Sequence, residues 1–359
     1  MSYSLQRFRI FHPSALTLSV IAATTLALLA CGEEPTTPDP AISTPPSMAT
    51  ARLGSWTTKA SILTPRSGIA GAVVKNSSGQ YLFYAIGGRN DANTAMRRVE
   101  AYNAATNVWT RRAKLPADRS SAGAAAISGK IYVVGGFNLA GNATATLYVY
   151  RHSTNSWTQK ASLPITTAPV ATGFIRGKLY VVANVAAPAA QRLYVYDPAT
   201  NSWKRLADVN HRHASGIGGV IDGKLYLAWG SSYTVDVYNP ATNQWSTRLT
   251  YAYAGGIDGQ GTCPADIDID CSVGGAASAV FQGKLWVMGG SNDDETMSLV
   301  AAYDPVTNKW LSKIPMQNNR RSRPIGGTVR NAAGLARIVV TGGLDETGEV
   351  VSVTEMYAP

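Results

Sequence analysis

The residues best suited to chemistry recur at one position along the chain. Counted back from successive glycine pairs or their equivalents, a polar side chain stands 17 residues earlier in three segments and 22 earlier in two segments with longer hairpins. The residues at this position are Arg66, Arg119, Thr167, His213 and Arg321. Guanidinium groups present a planar fork of donors to carboxylates and phosphates. A ring of them around one axis therefore predicts an anion-binding site.

The same side chains also suit a purely structural role, in which each arginine ties its loop to the carbonyl groups of a neighbouring repeat. Both uses stay open from the sequence alone. Arg89 follows a glycine pair in a loop expected on the same face as the ring, so it joins the predicted ligand-binding set. If the site is catalytic, His213, Asp293 and Glu295 are the candidates for proton transfer.

A metal centre or a bound cofactor is not expected. His211 and His213 are two residues apart and share one face of an extended segment. A catalytic metal site needs at least three protein ligands, and the other histidines, His12 and His152, are distant in sequence. No phosphate-binding loop, dinucleotide fingerprint or nucleophile elbow follows the predicted strands.

These residues are positioned by a repeat of about 48 residues. Its fullest copy, residues 223–245, reads GKLYLAWGSSYTVDVYNPATNQW. The copy contains a turn, a β-branched and aromatic strand, an alternating strand, an Asn-Pro turn, and a tryptophan that opens an outer strand. A strand of small residues precedes each copy, as expected for strands crowded around a central axis. Four strands per unit predict one blade of a β-propeller.

The repeats resemble those of the Kelch family. Its motif residues are the glycine pairs 87–88, 135–136, 289–290 and 342–343, the tyrosines Tyr102, Tyr150, Tyr196, Tyr238, Tyr303 and Tyr357, and the tryptophans Trp109, Trp157, Trp203, Trp245 and Trp310. The resemblance implies an all-β, six-bladed propeller over residues 54–359, with four antiparallel strands per blade. It also implies that the N-terminal strand around Trp56 closes the ring by completing the last blade. At 183–184 and 229–230 the glycine pair is replaced, and we expect only local adjustments there.

The first 53 residues predict export and anchoring. Arg7 and Arg9 precede the apolar run 16–30, which is shorter than a membrane span needs. The run ends in Leu-Leu-Ala-Cys, which resembles a bacterial lipobox. We therefore expect a signal peptide over residues 1–30, lipidation of Cys31, and an outer-membrane lipoprotein that faces the periplasm or the cell surface. The alternative is an uncleaved anchor. Residues 31–53 are rich in Pro, Thr and Ser and predict a disordered tether.

The remaining cysteines and the net charge limit the possible partners. Cys263 and Cys271 lie eight residues apart in one insertion and predict a local disulfide, with two free thiols or a metal pair as alternatives. The formal net charge of +10 fits nucleic acid, an anionic sugar or a solvated surface. No nucleic-acid-binding motif accompanies the charge, so nucleic acid is not expected.

Two classes of function follow. The first is a non-catalytic, monomeric binding module that holds a glycan or a protein on the loop face over the central channel. The second is an enzyme, because an exported six-bladed Kelch propeller is also similar to the N-acetylneuraminate epimerases. That resemblance implies a sugar mutarotase for an acidic sugar, in which the arginine ring would hold the carboxylate.

Overall fold

A computed structural model describes residues 54–185, 190–230, 234–250, 274–291, 296–316 and 320–359, all within the compact unit Thr50–Pro359. The predicted signal peptide 1–30 and tether 31–53, with Cys31, lie outside the described residues, as do Cys263 and Cys271. In the ranges described, no helix is long and apolar enough to cross a membrane.

The described chain forms six four-stranded antiparallel sheets. Blade 1 contains β2 (Ala70–Lys75), β3 (Tyr81–Ile86), β4 (Val99–Asn103) and β5 (Val108–Arg111), and blade 2 contains β6 (Gly123–Ile127), β7 (Lys130–Val134), β8 (Leu147–Arg151) and β9 (Ser156–Lys160). Blade 3 contains β10 (Pro169–Ile175), β11 (Lys178–Val185), β12 (Ala190–Asp197) and β13 (Ser202–Arg205), and blade 4 contains β14 (Ile217–Ile221), β15 (Lys224–Ala228), β16 (Thr234–Asn239) and β17 (Gln244–Thr250). Blade 5 contains β18 (Ala277–Phe281), β19 (Lys284–Met288), β20 (Val300–Asp304) and β21 (Lys309–Ser312), and blade 6 contains β22 (Ile325–Arg330), β23 (Ala336–Thr341), β24 (Thr354–Ala358) and β1 (Ser55–Lys59). A 3-10 turn, His152–Thr154, follows β8.

The blades form a closed ring around the inner strands β2, β6, β10, β14, β18 and β22, each of which contacts the next and the last of which contacts the first. The described hydrophobic core divides into six clusters, one at each interface between neighbouring blades. The six-bladed propeller predicted from the repeats is therefore confirmed.

The ring closes through the N-terminal strand, as predicted. β1 pairs with β24, and Trp56 stands opposite Tyr357 in the register. Trp56 is buried, and its Nε1 donates to the carbonyl of Ile314 at 2.9 Å. Because β1 covers the outer edge of β24, that edge cannot pair with another chain, and closure removes a template for aggregation.

The inner strands use small residues because neighbouring blades approach closely. A Cβ on Gly71 of β2 would lie 2.4 Å from Cγ1 of Ile325 in blade 6. Hydroxyl groups also link these strands, since Thr172 donates to the carbonyl of Ala124 at 2.8 Å and Thr328 donates to that of Val280 at 2.7 Å. The small-residue strands were correctly assigned to the channel wall.

The first glycine of each pair lies against the next blade. A Cβ on Gly87 would be 2.3 Å from the carbonyl oxygen of Arg119, and both Gly87 and Gly88 have positive φ. Where the pair is replaced, the backbone changes locally without loss of a blade. In blade 3, β11 continues through 183–184 and pairs with a longer β12. In blade 4, Trp229 itself adopts φ 64° and packs on Trp310, with ring centroids 5.1 Å apart.

The turn asparagines and the motif tryptophans clamp successive blades together. In blade 3, Asn201 has a left-handed φ of 52°, which asparagine tolerates well. Its Oδ1 accepts from the hydroxyl of Tyr196 at 2.7 Å and from the backbone N–H of Ala161 at 3.0 Å. The Nε1 of Trp203 donates to the carbonyl of the same Ala161 at 2.8 Å. Blades 1, 2 and 4 repeat these contacts, so each outer strand holds the segment that leaves the blade before it.

Candidate functional site

The arginine of blade 1 that was predicted at the mouth is fully buried within its own blade. Arg66 Nη1 lies 2.6 Å from Oε2 of Glu100, and neither side chain is exposed. Arg66 also donates to the carbonyls of Gly87 and Ala85 at 2.8 and 3.0 Å, while the Thr64 hydroxyl donates to Glu100 at 2.8 Å. Burial lowers the pKa of Arg66, and Glu100 opposes this shift.

Arg321 repeats this arrangement in blade 6. Its Nη2 pairs with Oε2 of Glu355, and both side chains are fully buried. Nη1 donates to the carbonyl of Val353 at 3.0 Å. The two arginines therefore bind carbonyl and carboxylate groups of their own blades. The structural role considered from the sequence had each arginine bind carbonyl groups of a neighbouring repeat instead. Their role in ligand binding stays a prediction.

The equivalent positions of blades 2 and 3 carry no carboxylate partner in the described structure. Arg119 stacks over the ring of Tyr148 at 5.6 Å and donates to the hydroxyl of Thr146 at 2.7 Å. Thr167 is buried, and its Oγ1 has no hydrogen-bond partner among the described residues. The backbone carbonyl of Arg119 accepts from the amide of Gly88 in the preceding blade at 2.8 Å. The carbonyl of Thr167 likewise accepts from the amide of Gly136 in the preceding blade at 2.8 Å. As with the other predicted ring members, a ligand role for these two side chains stays a prediction.

In blade 4 the same position holds a buried His–Asp pair. His213 Nε2 lies 3.0 Å from Oδ2 of Asp236, and both side chains are fully buried. His213 Nδ1 lies 3.1 Å from the carbonyl of Trp229, so both ring nitrogens have partners. His211, which is partly exposed, lies 3.0 Å from the same Oδ2, and Thr247 donates to Oδ1 at 2.7 Å.

Asp236 makes the stability of blade 4 depend on pH. Burial alone would raise the pKa of Asp236, but hydrogen bonds from His213, Thr247 and His211 together hold it below its ordinary value. A lowered folded-state pKa contributes stability that is present above the unfolded pKa of about 3.9 and is lost as the pH falls through the folded value.

We therefore expect Asp236→Asn to lower the free energy of unfolding most above about pH 5, with the difference from wild type shrinking as the pH falls below about 4. Urea unfolding of both proteins across this range measures the difference. A difference that is the same at every pH would contradict the account.

A single sequence signal marks the buried partners, and the sequence reasoning missed it. Glu100, Asp236 and Glu355 each stand two residues before the motif tyrosine of their blade, and they occur in the three blades that carry Arg66, His213 and Arg321. Each acid at this third-strand position therefore accompanies a basic residue at the mouth position, whereas Arg119 of blade 2, which has Tyr148 at the third-strand position, has no such acid. Matching the two positions would have predicted buried ion pairs within blades.

Above these pairs, backbone hydrogen bonds form a collar around the channel mouth. Its members are Gly68, Ser121, Ser215, Gly275 and Arg323, one from each blade except blade 3, and all five have positive φ. The amide of Ser121 donates to Gly68 at 2.7 Å and that of Gly68 donates to Arg323 at 3.2 Å. The amide of Arg323 donates to Gly275 at 2.6 Å, and that of Gly275 donates to Ser215 at 3.1 Å.

Blade 3 interrupts the collar. Its equivalent residue is Pro169, which has no amide hydrogen and cannot adopt positive φ. Asn184 instead donates to the carbonyl of Ala168 at 3.0 Å and accepts from Gln191 at 2.9 Å. Gln191 in turn accepts from the amide of His213 at 2.9 Å. This amide relay links blades 3 and 4 where the glycine pair and the collar are both missing.

The collar surrounds a cavity of about 510 Å³ at the channel mouth. Arg89 lines this cavity, and its role in ligand binding stays a prediction. Its Nε donates to the Ser120 hydroxyl at 2.8 Å, its Nη1 donates to Asn93 at 2.9 Å, and the guanidinium stacks over Phe137 at 5.7 Å. These contacts hold the guanidinium in place and leave Nη2 without a partner among the described residues.

Arg323 is the second cation of the cavity, and the sequence reasoning did not identify it. It is exposed, and its side chain makes no hydrogen bond or ion pair with the described residues. The sequence feature that could have identified Arg323 is its place as the second arginine of the RSRP segment, two residues after Arg321. The described lining contains no aspartate or glutamate, so the described lining residues carry a net positive charge.

Neither a metal site nor a proton-transfer pair is assembled at the mouth by the described part of the chain. Within it, no group of three or more His, Cys, Asp or Glu residues could hold a metal ion. His213 does not line the cavity, and the candidates Asp293 and Glu295 lie outside the described residues.

Comparison with known proteins supports a Kelch-repeat β-propeller. The profile of the KLHDC2/KLHL20/DRC7 Kelch-repeats domain matches residues 46–217, and that of the Kelch motif matches residues 273–316. Kelch-like ECH-associated protein 1B of Danio rerio is 35% identical over 81 residues, which cover 22% of this chain and 13% of that protein. The chain thus spans a small part of this relative's length.

A solved structure gives the fuller match to the fold. The structure of YjhT aligns with a TM-score of 0.62 and 16% identity, over 82% of this chain and 95% of that chain. At this identity the likeness shows the fold alone.

The six closed blades and the polar mouth define a β-propeller of the protein-interaction type. Its class is indicated by the two Kelch profiles, by the repeated Gly-Gly, Tyr and Trp positions, and by the ring closure. The chain belongs to the Kelch-repeat family of β-propellers.

Proposed function

We propose that this propeller is a non-catalytic binding module that takes an acidic glycan at the loop-face mouth of its channel. The observation that carries the proposal is the cavity between Arg89 and Arg323, whose described lining has no carboxylate. Its volume of about 510 Å³ is within the range of small-molecule sites, roughly 300–1,000 Å³. The carboxylate of the sugar would pair with the two guanidinium groups.

The arrangement of the two arginines supports an anion more than a neutral sugar. Arg89 is held by Ser120, Asn93 and Phe137, so little side-chain entropy is lost when it binds. Arg323 has no internal anion to displace among the described residues. Serine hydroxyls and Asn184 line the same cavity and match the hydroxyl groups of a sugar.

A binding role is favoured over catalysis because the described mouth offers cations without an acid–base pair. A mutarotase needs a proton donor and a base converging on one sugar atom. His213 and Asp236 are fully buried against each other, and Glu100 and Glu355 are buried in pairs with arginines. In the proposal, Arg66, Arg321 and His213 position the loops, and Arg89 and Arg323 contact the ligand.

The proposal includes display at the envelope of a bacterial cell. The lipobox-like segment before Cys31 and the Pro-rich residues 31–53 support a lipid anchor and a spacer ahead of the propeller. Incorporation of labelled palmitate into wild-type protein in a bacterial host, with loss of label in Cys31→Ser, tests this part. Label retained by the Cys31→Ser variant would contradict it.

We expect acidic monosaccharides to raise the thermal midpoint of the full chain and neutral monosaccharides to leave it unchanged. A ligand that binds only the folded state stabilises it by about 2.7 kcal/mol at a concentration 100 times Kd. The shift should be lost in Arg323→Gln and in Arg89→Gln. Arg323 is exposed and makes no described side-chain contact, so its variant should fold normally.

Arg176→Gln is the matched control, because Arg176 is also exposed and also has positive φ, 49° against 54° for Arg323. It lies in the β10–β11 turn and does not line the mouth cavity. If no sugar shifts the midpoint, the proposal fails and a protein ligand becomes the alternative to test by pull-down. If the protein binds and also accelerates anomer exchange measured by NMR, the mutarotase alternative replaces the binding module.

A further inference from the structure

A second, larger cleft lies between blades 1 and 2 on the face opposite the loop mouth. Its volume is about 940 Å³, and four hairpin turns form its walls. The turns join β2 to β3, β4 to β5, β6 to β7 and β8 to β9, so the two blades contribute equally. None of its lining residues lines the channel mouth.

The cleft concentrates positive charge without a balancing acid. Lys75, Arg112, Lys130 and Arg151 line it, and no aspartate or glutamate is among its described lining residues. None of these four cations forms an ion pair with the described part of the protein. Each uncompensated charge raises the local potential, which attracts anions.

Arg112 is partly buried in the wall of the cleft. Its side-chain Nε is buried and has no hydrogen-bond partner among the described residues. A buried donor without an acceptor destabilises the fold, so an acceptor supplied by a ligand would offset that cost. The guanidinium group of an arginine suits phosphate oxygens, which accept from its planar fork of donors.

Neutral donors accompany the cations. Tyr84 lies beneath Arg112, and its hydroxyl is 2.5 Å from Nδ1 of His152. Burial raises the pKa of Tyr84, whereas burial and the charge of Arg112 lower that of His152. Both groups are therefore neutral at pH 7. Serine, threonine and asparagine side chains of the turns add further donors along the cleft.

We propose that this cleft is a second binding site, for a ligand that carries two or more phosphate groups. Four unpaired cations match a multivalent anion better than a single carboxylate, and the volume exceeds that of one phosphate. The ligand is either a soluble polyphosphorylated molecule or a phosphorylated lipid headgroup, which share this chemistry. The site is independent of the loop-face proposal because the two cavities share no residue.

The test measures binding of inorganic tripolyphosphate to the full chain by calorimetry at low ionic strength, where charge pairs are least screened. Vesicles with and without phosphatidylinositol 4,5-bisphosphate, whose headgroup carries several phosphate groups, provide the lipid arm in a sedimentation assay. We expect Lys130→Gln combined with Arg151→Gln to weaken binding about tenfold or more, since two charge-assisted contacts are removed. Added salt should weaken binding to wild type as well.

The matched control combines Lys204→Gln with Arg176→Gln, which removes the same two charges from exposed positions of blade 3 outside the cleft. Unchanged affinity in this control, with loss in the cleft variant, supports the site. Tripolyphosphate binding assigns a soluble ligand, and binding only to vesicles that contain phosphatidylinositol 4,5-bisphosphate assigns a headgroup. The proposal is overturned if neither probe binds, or if the control loses as much affinity as the cleft variant.

Discussion

Replacing Glu100 by alanine is expected to lower the free energy of unfolding by about 3–5 kcal/mol, because it leaves the guanidinium of Arg66 charged and unpaired in the interior. Both side chains are fully buried, and the Arg66 Nη1 to Glu100 Oε2 distance is 2.6 Å. The remaining bonds of Arg66 go to backbone carbonyls of its own blade, which cannot neutralise its charge. Urea unfolding of wild type and variant measures the change.

The control for this prediction is the double variant Arg66→Met with Glu100→Leu. A buried ion pair replaced by apolar residues of similar volume is often neutral or stabilising. We therefore expect the double variant to recover most of the stability lost in Glu100→Ala. A Glu100→Ala variant as stable as wild type would show that the pair is not buried as described.

Trp56→Ala is expected to cost about 3–5 kcal/mol of unfolding free energy, the range for removing a fully buried large aromatic side chain. Trp56 belongs to β1, the strand that closes the ring against β24. The substitution removes the ring contact with Tyr357, whose centroid is 5.3 Å away, and the hydrogen bond to Ile314. Loss of this strand also exposes an unpaired sheet edge, so aggregation on heating should begin earlier.

Trp203→Ala is the matched substitution within the ring. Trp203 occupies the same motif position in blade 3 and makes the same kind of bond, but it is only partly buried. Its β13 follows directly from the other strands of its blade, so its loss does not open the ring. Denaturant unfolding should show the larger loss for Trp56→Ala. Equal losses would indicate that closure adds nothing to the stability of blade 6.

The fold could be predicted from the sequence because each motif residue has one local physical task. The small inner strands follow from close approach, as at Gly71, and the glycine pair follows from contact with the next blade, as at Gly87. The tryptophan and tyrosine positions bind neighbouring segments through repeated hydrogen bonds. Ring closure at Trp56 followed from the missing tryptophan after Tyr357.

The candidate site could be predicted only in part, because repeat counting finds equivalent positions without finding partners. The count assigned Arg66 and Arg321 to equivalent positions of blades 1 and 6, but their carboxylate partners lie in the third strand of each blade, 34 residues later in each case. Arg89 was identified from its loop, whereas Arg323 was overlooked because the collar that presents it depends on backbone conformation. The basic cleft between blades 1 and 2 depends on four turns from separate hairpins, and no single turn suggests it.

The most direct test of the proposed function is a calorimetric titration of the full chain with an acidic monosaccharide and with the methyl ester of the same sugar, which removes only the charge. We predict that wild type binds the acid more tightly than the ester. The preference should disappear in Arg89→Gln combined with Arg323→Gln and remain in Arg176→Gln. Equal binding of acid and ester by wild type, or a preference that survives loss of Arg89 and Arg323, would contradict an anion site at the channel mouth.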